Sequence, residues 1–281
     1  MSEPDRSEPR RMPASTGARF ERLVEIMRTL RAPDGCPWDR AQTLTSLRPF
    51  VLEETYEVLD ALDREDLSDL RGELGDLLFQ IVFLSQLTAE ADGFTIDDAV
   101  EAITDKLVRR HPHVFGPDGA PPTSRVSTPH EMRGRWEELK AEERASAGRA
   151  DGLLGGVPAT LPSLLRAFEL GSRVASVGFD WPTAGDVVDK IEEEVAELRQ
   201  AVDTETAARQ EEEMGDLLFS LANLARKLGV EPEAALRRAN QKFCDRFARV
   251  EARLDADGRS LKDASLEEME AAWQAVKKAT D

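Results

Sequence analysis

The sequence predicts an all-α fold built from two helical repeats. Apolar residues recur at the 3.6-residue period of a helix over long stretches, whereas the alternating β-branched segments that are typical of strands are scarce. One acidic pattern also occurs twice, at a constant offset of 140 residues within a chain of 281 residues. Each half is long enough to enclose its own hydrophobic core, so we expect a tandem arrangement.

The first half begins with a segment that is rich in Pro, Ser and Arg, and we expect residues 1–17 to form a disordered tail. The first repeat is predicted to follow over residues 18–115. Its apolar spacing predicts four helices. The first begins near Arg19, and the other three cover residues 47–62, 67–90 and 96–111. Residues 32–39, which contain two prolines and a glycine, are expected to form a loop that ends the first helix.

The second half has the same plan after a connecting segment. Residues 116–160 are expected to form a linker, and the charged run 136–144 within it predicts a solvated helix. The second repeat is predicted over residues 161–281. Its apolar spacing predicts five helices, over 164–177, 184–202, 207–228, 232–254 and 266–278.

Composition restricts the partners and the compartment. The 37 basic and 55 acidic residues give a formal net charge of −18, which argues against binding to nucleic-acid polymers or to anionic membranes. Two cysteines, Cys36 and Cys244, form neither a disulfide framework nor a metal-ligand spacing. The most apolar run, 77–84, is too short to span a bilayer, and no segment resembles a signal peptide. We expect a cytoplasmic protein.

The repeated pattern consists of four acids. It reads E-x-x-E, fifteen residues and E-x-x-D, with members Glu54, Glu57, Glu73 and Asp76 in the first half and Glu194, Glu197, Glu213 and Asp216 in the second. Residues three apart share one helix face, so two antiparallel helices would bring the four carboxylates together. An oxygen-only ligand set suits hard cations, and the pattern therefore predicts a site for Mg²⁺ or Mn²⁺.

A simpler interpretation is a catalytically inactive helical scaffold whose acids are merely solvated. Three observations favour the metal site. The spacing is duplicated, the apolar context is duplicated (73–79 matches 213–219), and both acid pairs border apolar stretches, where an unpaired charge is costly. Gly75 and Gly215, which lie between the acids of each second pair, suggest a close approach of two helices.

A basic pair follows each acidic set, Lys106 with Arg110 and Lys242 with Arg246. Spacing of four places both cations of a pair on one helix face, where they are either phosphate ligands or partners in surface salt bridges. Trp273 is interpreted as a base-stacking residue or a core residue. The E-x-x-H motif of di-iron bundles, a Gly-rich phosphate loop and a nucleophilic triad are all missing from the sequence. Attack by a metal-activated water is the chemistry that this pattern favours.

At this point several long motifs resemble the MazG nucleoside triphosphate pyrophosphohydrolases. They are 36–39 (CPWD), 53–57 (EETYE), 72–76 (GELGD), 177–181 (VGFDW), 190–197 (KIEEEVAE), 211–216 (EEEMGD) and 242–247 (KFCDRF). The resemblance covers nearly the whole chain from about Phe20. It implies an all-α tandem repeat that forms a homodimer, in which helices of the two chains complete four-helix-bundle-like sites. It also implies Mg²⁺-dependent hydrolysis of NTPs and dNTPs to the monophosphate and pyrophosphate, a housecleaning role in the nucleotide pool.

The resemblance further implies an active second repeat and a weak or silent first one. It assigns metal binding to Glu194, Glu197, Glu213 and Asp216, and nucleotide binding to Lys190, Lys242, Arg246 and Trp273. Glu193, Glu194 and Glu197 are the expected catalytic acids, with Glu193 orienting the water. The first repeat keeps its four acids but has Phe50 where the second has Lys190, and it has no equivalent of Trp273. A hydrolase restricted to one modified nucleotide remains the alternative.

Overall fold

The computed structural model describes residues 15–116 and 152–280. Most of the expected tail, residues 1–14, lies outside these ranges, as does the charged run 136–144 of the expected linker. The described residues belong to two compact units, one for each range. No strand occurs in either range, so the all-α prediction is confirmed.

The bounds of the helices are as follows. Residues 15–116 contain α1 (Thr16–Arg31), α2 (Pro37–Ala41), α3 (Arg48–Asp63), α4 (Leu67–Glu90), α5 (Ile96–Arg110) and α6 (Pro112–Phe115). Residues 152–280 contain α7 (Ser163–Ala175), α8 (Ala184–Thr204), α9 (Ala207–Leu228), α10 (Pro232–Ala256) and α11 (Leu266–Thr280). None of these helices has both the length and the apolar character needed to cross a bilayer.

Capping residues explain where the helices begin. The Ser15 side chain accepts a hydrogen bond from the Ala18 backbone N–H at 3.1 Å, so α1 starts at Thr16, three residues earlier than the apolar pattern predicted. Thr95 and Thr183 form capping boxes with Asp98 and Asp186, which fix the starts of α5 and α8. The sequence did not predict α2 and α6, because each begins with a proline that reads as a break but also suits the first turn of a helix.

The two units share one packing plan, which confirms the tandem-repeat prediction. In the first unit α3 and α4 form a hairpin, and α1 packs against α4. In the second unit α8 and α9 form the equivalent hairpin, and α7 packs against α9. The cores differ in their contents. The first is built around Met27, Leu47, Val82 and Phe83. A core cluster of the second joins α10 to α11 through Val250, Leu254, Ala272 and Val276.

Gly171 marks a close approach of α7 to α9. A Cβ atom at this buried position would collide with the side chain of Asn223, which is itself buried on α9. Asn223 donates a hydrogen bond from Nδ2 to the Phe219 carbonyl at 3.1 Å and is therefore held in place. The close contact fixes the position of α9, the helix that carries half of the acidic pattern.

An ion cluster ties the segment before α8 to the end of α9. Arg226 Nη1 and Lys227 Nζ donate hydrogen bonds to Asp180 Oδ2 at 3.2 and 2.6 Å, and Arg226 Nη2 donates to the other carboxylate oxygen. Burial tends to raise the pKa of Asp180, but these hydrogen bonds from Arg226 and Lys227 dominate and lower its pKa to about 2. The cluster therefore stabilises the hairpin through charge.

We expect Asp180→Asn to lower the free energy of unfolding at pH 7 by about 2 kcal/mol, because a carboxyl whose pKa is depressed on folding stabilises the protein in its charged form. This contribution is complete above the ordinary Asp pKa and is lost as the pH falls from about 4 to about 2. Urea unfolding at pH 7 and at successively lower pH checks both statements. The exposed Asp189→Asn is the matched control, and an Asp180→Asn protein as stable as this control would contradict the account.

Candidate metal centre

Each hairpin gathers three of its four predicted acids. One carboxylate oxygen from each of Glu54, Glu57 and Glu73 lies within 4.8 Å of the others in the first unit. The same distance holds among Glu194, Glu213 and Asp216 in the second unit. We name these groups the N-terminal and the C-terminal acidic cluster. Their spacing suits donors that share one cation.

The helical hairpin explains this convergence. Residues three apart lie on one face of a helix, so each helix contributes a pair of acids from that face. Short turns then fold the second helix back against the first. They contain three residues, 64–66, between α3 and α4, and two residues, 205–206, between α8 and α9. Glu65 in the first turn takes a left-handed backbone with φ of 56°.

The fourth acid of each set lies outside the 4.8 Å group but acts on it electrostatically. Burial raises the pKa of Glu54, and the charges of Asp76 and Glu57 raise it further. Burial also raises the pKa of Glu213; Arg209 opposes the rise, and the charges of Glu197, Glu194 and Asp216 add to it. Both clusters therefore contain acids whose charged forms are disfavoured without added positive charge.

The C-terminal acidic cluster is the more deeply buried of the two. Glu194 and Glu213 are only 4% and 2% exposed, whereas Glu54 and Glu73 are half-buried. Within the described part of the chain, Glu194 Oε2 is buried and has no hydrogen-bond partner. A buried carboxylate oxygen without a partner is costly unless a cation approaches it. The cluster's donor set and this oxygen therefore fit a hard divalent cation.

Lys190 lies at the edge of the C-terminal acidic cluster. Its Nζ is 2.7 Å from Glu193 Oε1 and 3.0 Å from Glu194 Oε1. Hydrogen bonds to Glu193 and then Glu194 raise the pKa of Lys190, which keeps it charged. Phe50, the matching residue of the first repeat, offers no such charge. Lys190 and Glu193 thus lie beside the predicted metal ligands.

Sequence reasoning missed two residues next to the clusters. Arg209 forms ion pairs with Glu213 and, at 2.7 Å, with Glu212. Gln80, which is 6% exposed, donates a hydrogen bond to Glu54 that lowers the pKa of that acid. A comparison of the two repeats at the offset of 140 residues would have drawn attention to both positions. Arg209 matches Asp69, and Gln80 matches Ser220, so the repeats differ in residue type at each of them.

The expected close approach at Gly75 and Gly215 is wrong for this chain. A Cβ atom at either glycine would meet no heavy atom within 4 Å. Both glycines are exposed, one on α4 and one on α9. A small residue at these positions is therefore not required by packing within either unit.

The other predicted nucleotide ligands, Lys242, Arg246 and Trp273, lie on α10 and α11. Lys242 is exposed, Arg246 is half-buried, and the Trp273 ring lies 5.3 Å from that of Phe243. Phe243 also stacks on Phe247 at 6.0 Å, and Trp273 packs against the core cluster between the two helices. Within residues 152–280, no hydrogen bond, ion pair or ring contact joins Lys242 or Trp273 to the acids of α8 and α9.

The sequence also matches known protein families. Residues 42–115 match the MazG nucleotide pyrophosphohydrolase domain, and residues 173–243 match phosphoribosyl-ATP pyrophosphohydrolase. One match falls in each unit, and each contains the acidic pattern of that unit.

Relatives align with almost the whole chain. A nucleoside triphosphate pyrophosphohydrolase of Escherichia coli (strain K12) is 50% identical over 264 residues, which cover 92% of this chain and 97% of the relative. The nucleoside triphosphate pyrophosphohydrolase/pyrophosphatase MazG of Thermotoga maritima is 41% identical over 261 residues, which cover 93% of this chain and 96% of the relative. The crystal structure of a mazG-related protein from Thermotoga maritima is 27% identical, covers 43% of this chain and 98% of its own, and has a TM-score of 0.36. With two such full-length relatives and an acidic pattern in both matched regions, the chain belongs to the MazG family of nucleoside triphosphate pyrophosphohydrolases.

Proposed function

We propose that the protein hydrolyses NTPs and dNTPs to the monophosphate and pyrophosphate in a Mg²⁺-dependent reaction, and that it removes unwanted nucleotides from the pool. The unpartnered, buried carboxylate oxygen of Glu194, in a group that offers only oxygen donors, is the observation that carries the metal dependence. The relatives named above carry the reaction class. In this proposal residues 161–281 form the catalytic repeat, residues 18–115 form the second MazG-like repeat, and residues 116–160 link them.

The proposed ligands of Mg²⁺ (or Mn²⁺) are Glu194, Glu197, Glu213 and Asp216. A bound Mg²⁺ would polarise the phosphate oxygens and lower the pKa of a coordinated water. Glu193, whose side chain is 56% exposed, is the proposed acid that orients the attacking water at the α-phosphorus. Because Lys190 contacts both Glu193 and Glu194, it holds the water-orienting acid beside a metal ligand.

Positive charge and stacking would position the nucleotide. Lys190, Lys242 and Arg246 are the proposed phosphate ligands, since a triphosphate chain requires several cations around it. Trp273 is the proposed stacking residue, and its ring already contacts Phe243 in an aromatic group on α10 and α11. The first repeat lacks the counterpart of Lys190, which favours turnover in the second repeat.

We further propose that the protein is a homodimer. Both repeats expose an apolar stripe at equivalent positions of α4 and α9, namely Leu74, Leu78 and Ile81, and Met214, Leu218 and Leu221. Each of these six side chains is 38–50% exposed. Apolar stripes of this kind are typical of helices that pack against further helices, and closed twofold pairing is the commonest arrangement of soluble oligomers. A second copy would also supply the helices that each hairpin needs to form a four-helix bundle.

Product analysis tests the proposed reaction. We expect purified protein with Mg²⁺ to convert a panel of NTPs and dNTPs to the monophosphate and pyrophosphate, and EDTA to abolish the conversion. The panel should include modified dNTPs and phosphoribosyl-ATP, because turnover of only one compound would support the narrow alternative. Release of orthophosphate with a diphosphate product would overturn the proposal. If Mg²⁺ neither supports turnover nor raises the melting temperature, the inactive scaffold is the better interpretation.

A further inference from the structure

We propose that Arg209 is an exchangeable counterion of the C-terminal acidic cluster: its guanidinium competes with the divalent cation for Glu213. This positioning role rests on the proposed function, because it assumes that the cluster is a metal site. Arg209 would hold Glu213 in place before the cation arrives and release that carboxylate on binding.

The contacts of Arg209 support this role. The guanidinium forms an ion pair with Glu213, the most buried acid of the cluster, although the Arg209 side chain is 42% exposed. Its other partners, Glu212 at 2.7 Å and Glu205 at 3.6 Å, lie on the solvent side. Arg209 therefore links a buried metal ligand to exposed acids, and it can leave Glu213 without losing every partner.

The first repeat provides an internal comparison. Asp69 occupies the position that matches Arg209, so the charge beside the matched ligands Glu73 and Glu213 has opposite sign. Asp69 pairs with Arg64 in the turn, and its charge helps to raise the pKa of Glu73, after burial and Glu57. The N-terminal acidic cluster thus has an added negative charge where the C-terminal acidic cluster has its own cation.

The helix dipole does not account for the arginine. Arg209 is the third residue of α9, and positive charge in the first turn opposes the helix dipole. Asp69, in the first turn of α4, is the residue that the dipole favours. The dipole therefore does not favour an arginine at position 209, and what favours it is the charge of the acids it pairs with, Glu212 and Glu213, one turn further along α9.

Competition of this kind predicts a measurable change in the affinity of the protein for the cation alone. A positive charge beside the ligands repels a divalent ion, so removing it should tighten binding of the ion in the absence of nucleotide. Because Arg209 is partly exposed, screening reduces the effect, and we expect Arg209→Ala to bind Mn²⁺ about three- to tenfold more tightly than the parent protein. A residue that served only the fold would lower the melting temperature without tightening Mn²⁺ binding.

The experiment uses the full chain with Mn²⁺ as the probe and no nucleotide. Glu54→Gln and Glu73→Gln remove the N-terminal acidic cluster, so that the signal of free Mn²⁺ in electron paramagnetic resonance reports the C-terminal acidic cluster. In this background Arg209→Ala should tighten binding, whereas Arg209→Lys should stay within about twofold of the parent because it keeps the charge. Unchanged or weaker binding by Arg209→Ala overturns the proposal.

Two variants of Asp69 in the first repeat provide an independent test in case the arginine variants fold poorly. In a background with Glu213→Gln and Asp216→Asn, Asp69→Arg should weaken Mn²⁺ binding by the N-terminal acidic cluster more than the neutral Asp69→Asn does. Equal affinities for these two variants would count against charge at this position as the cause. Since neither measurement uses hydrolysis, tighter Mn²⁺ binding by an inactive protein would reject the proposed function alone. Active protein with unchanged Mn²⁺ binding would reject this inference alone.

Discussion

Replacing Asp216 by Asn is expected to lower kcat/KM for nucleotide hydrolysis by about 100-fold or more, because the proposed metal centre would lose a charged ligand and with it several kcal/mol of transition-state stabilisation. Asp216 is exposed and belongs to the C-terminal acidic cluster. The substitution therefore removes charge with little effect on the fold. Steady-state rates with saturating Mg²⁺ measure the effect, and the melting temperature without metal checks that the variant is folded.

Asp76→Asn is the matched control, since Asp76 is the equivalent exposed acid of the first repeat. We expect it to cost less than about threefold, because the first repeat lacks the counterparts of Lys190 and Trp273. Glu197→Ala and Glu57→Ala form a second matched pair with the same expected contrast. Equal losses in the two repeats would mean two working sites, and the asymmetric assignment would then be abandoned.

The double variant Leu78→Glu with Leu218→Glu is expected to convert a dimer into a monomer. Each chain has a mass of 31.2 kDa, so sedimentation velocity separates the two states readily. Both leucines lie in the exposed stripes of α4 and α9, and burial of one such side chain contributes about 1.5–3 kcal/mol to an interface. We expect the dimer dissociation constant to rise by at least about 100-fold, since the new charges would also have to be buried.

Leu266→Glu serves as the control for this variant, because Leu266 is 73% exposed at the start of α11, outside either stripe. It should leave the sedimentation coefficient unchanged. Parent protein that sediments as a monomer at micromolar concentration would reject the homodimer. A double variant that remains a dimer would place the interface elsewhere on the chain.

The hairpins were predictable because their signals are local. The apolar period predicts the bounds 67–90 and 207–228, which the structure reproduces for α4 and α9. The same local rule places acids three residues apart on one helix face, and one offset relates the two repeats. Convergence of three acids per hairpin follows from these two facts and a short turn.

Other features depend on packing that no short pattern encodes. The glycines between the acids suggested a close helix contact, yet Gly75 and Gly215 meet open space, while the close contact occurs at Gly171. The acid that lies outside the acidic cluster also differs between the repeats. It is Asp76 in the first repeat and Glu197 in the second. Side-chain rotamers and burial decide this, and they depend on neighbouring helices. The approach of Lys242 and Trp273 to the acids stays a prediction for the same reason.

The short connection between α8 and α9 has a consequence for how the centre is lost. The proposed ligands of the C-terminal acidic cluster come from both helices of a single hairpin. At the end of the hairpin opposite the turn, Asp180 pairs with Arg226 and Lys227. Any opening that separates the two helices therefore dismantles the set of donors in the same event. Bound cation would in turn raise the free energy of that opening, so protection of the backbone amides of α8 and α9 against hydrogen exchange would report occupancy of the centre.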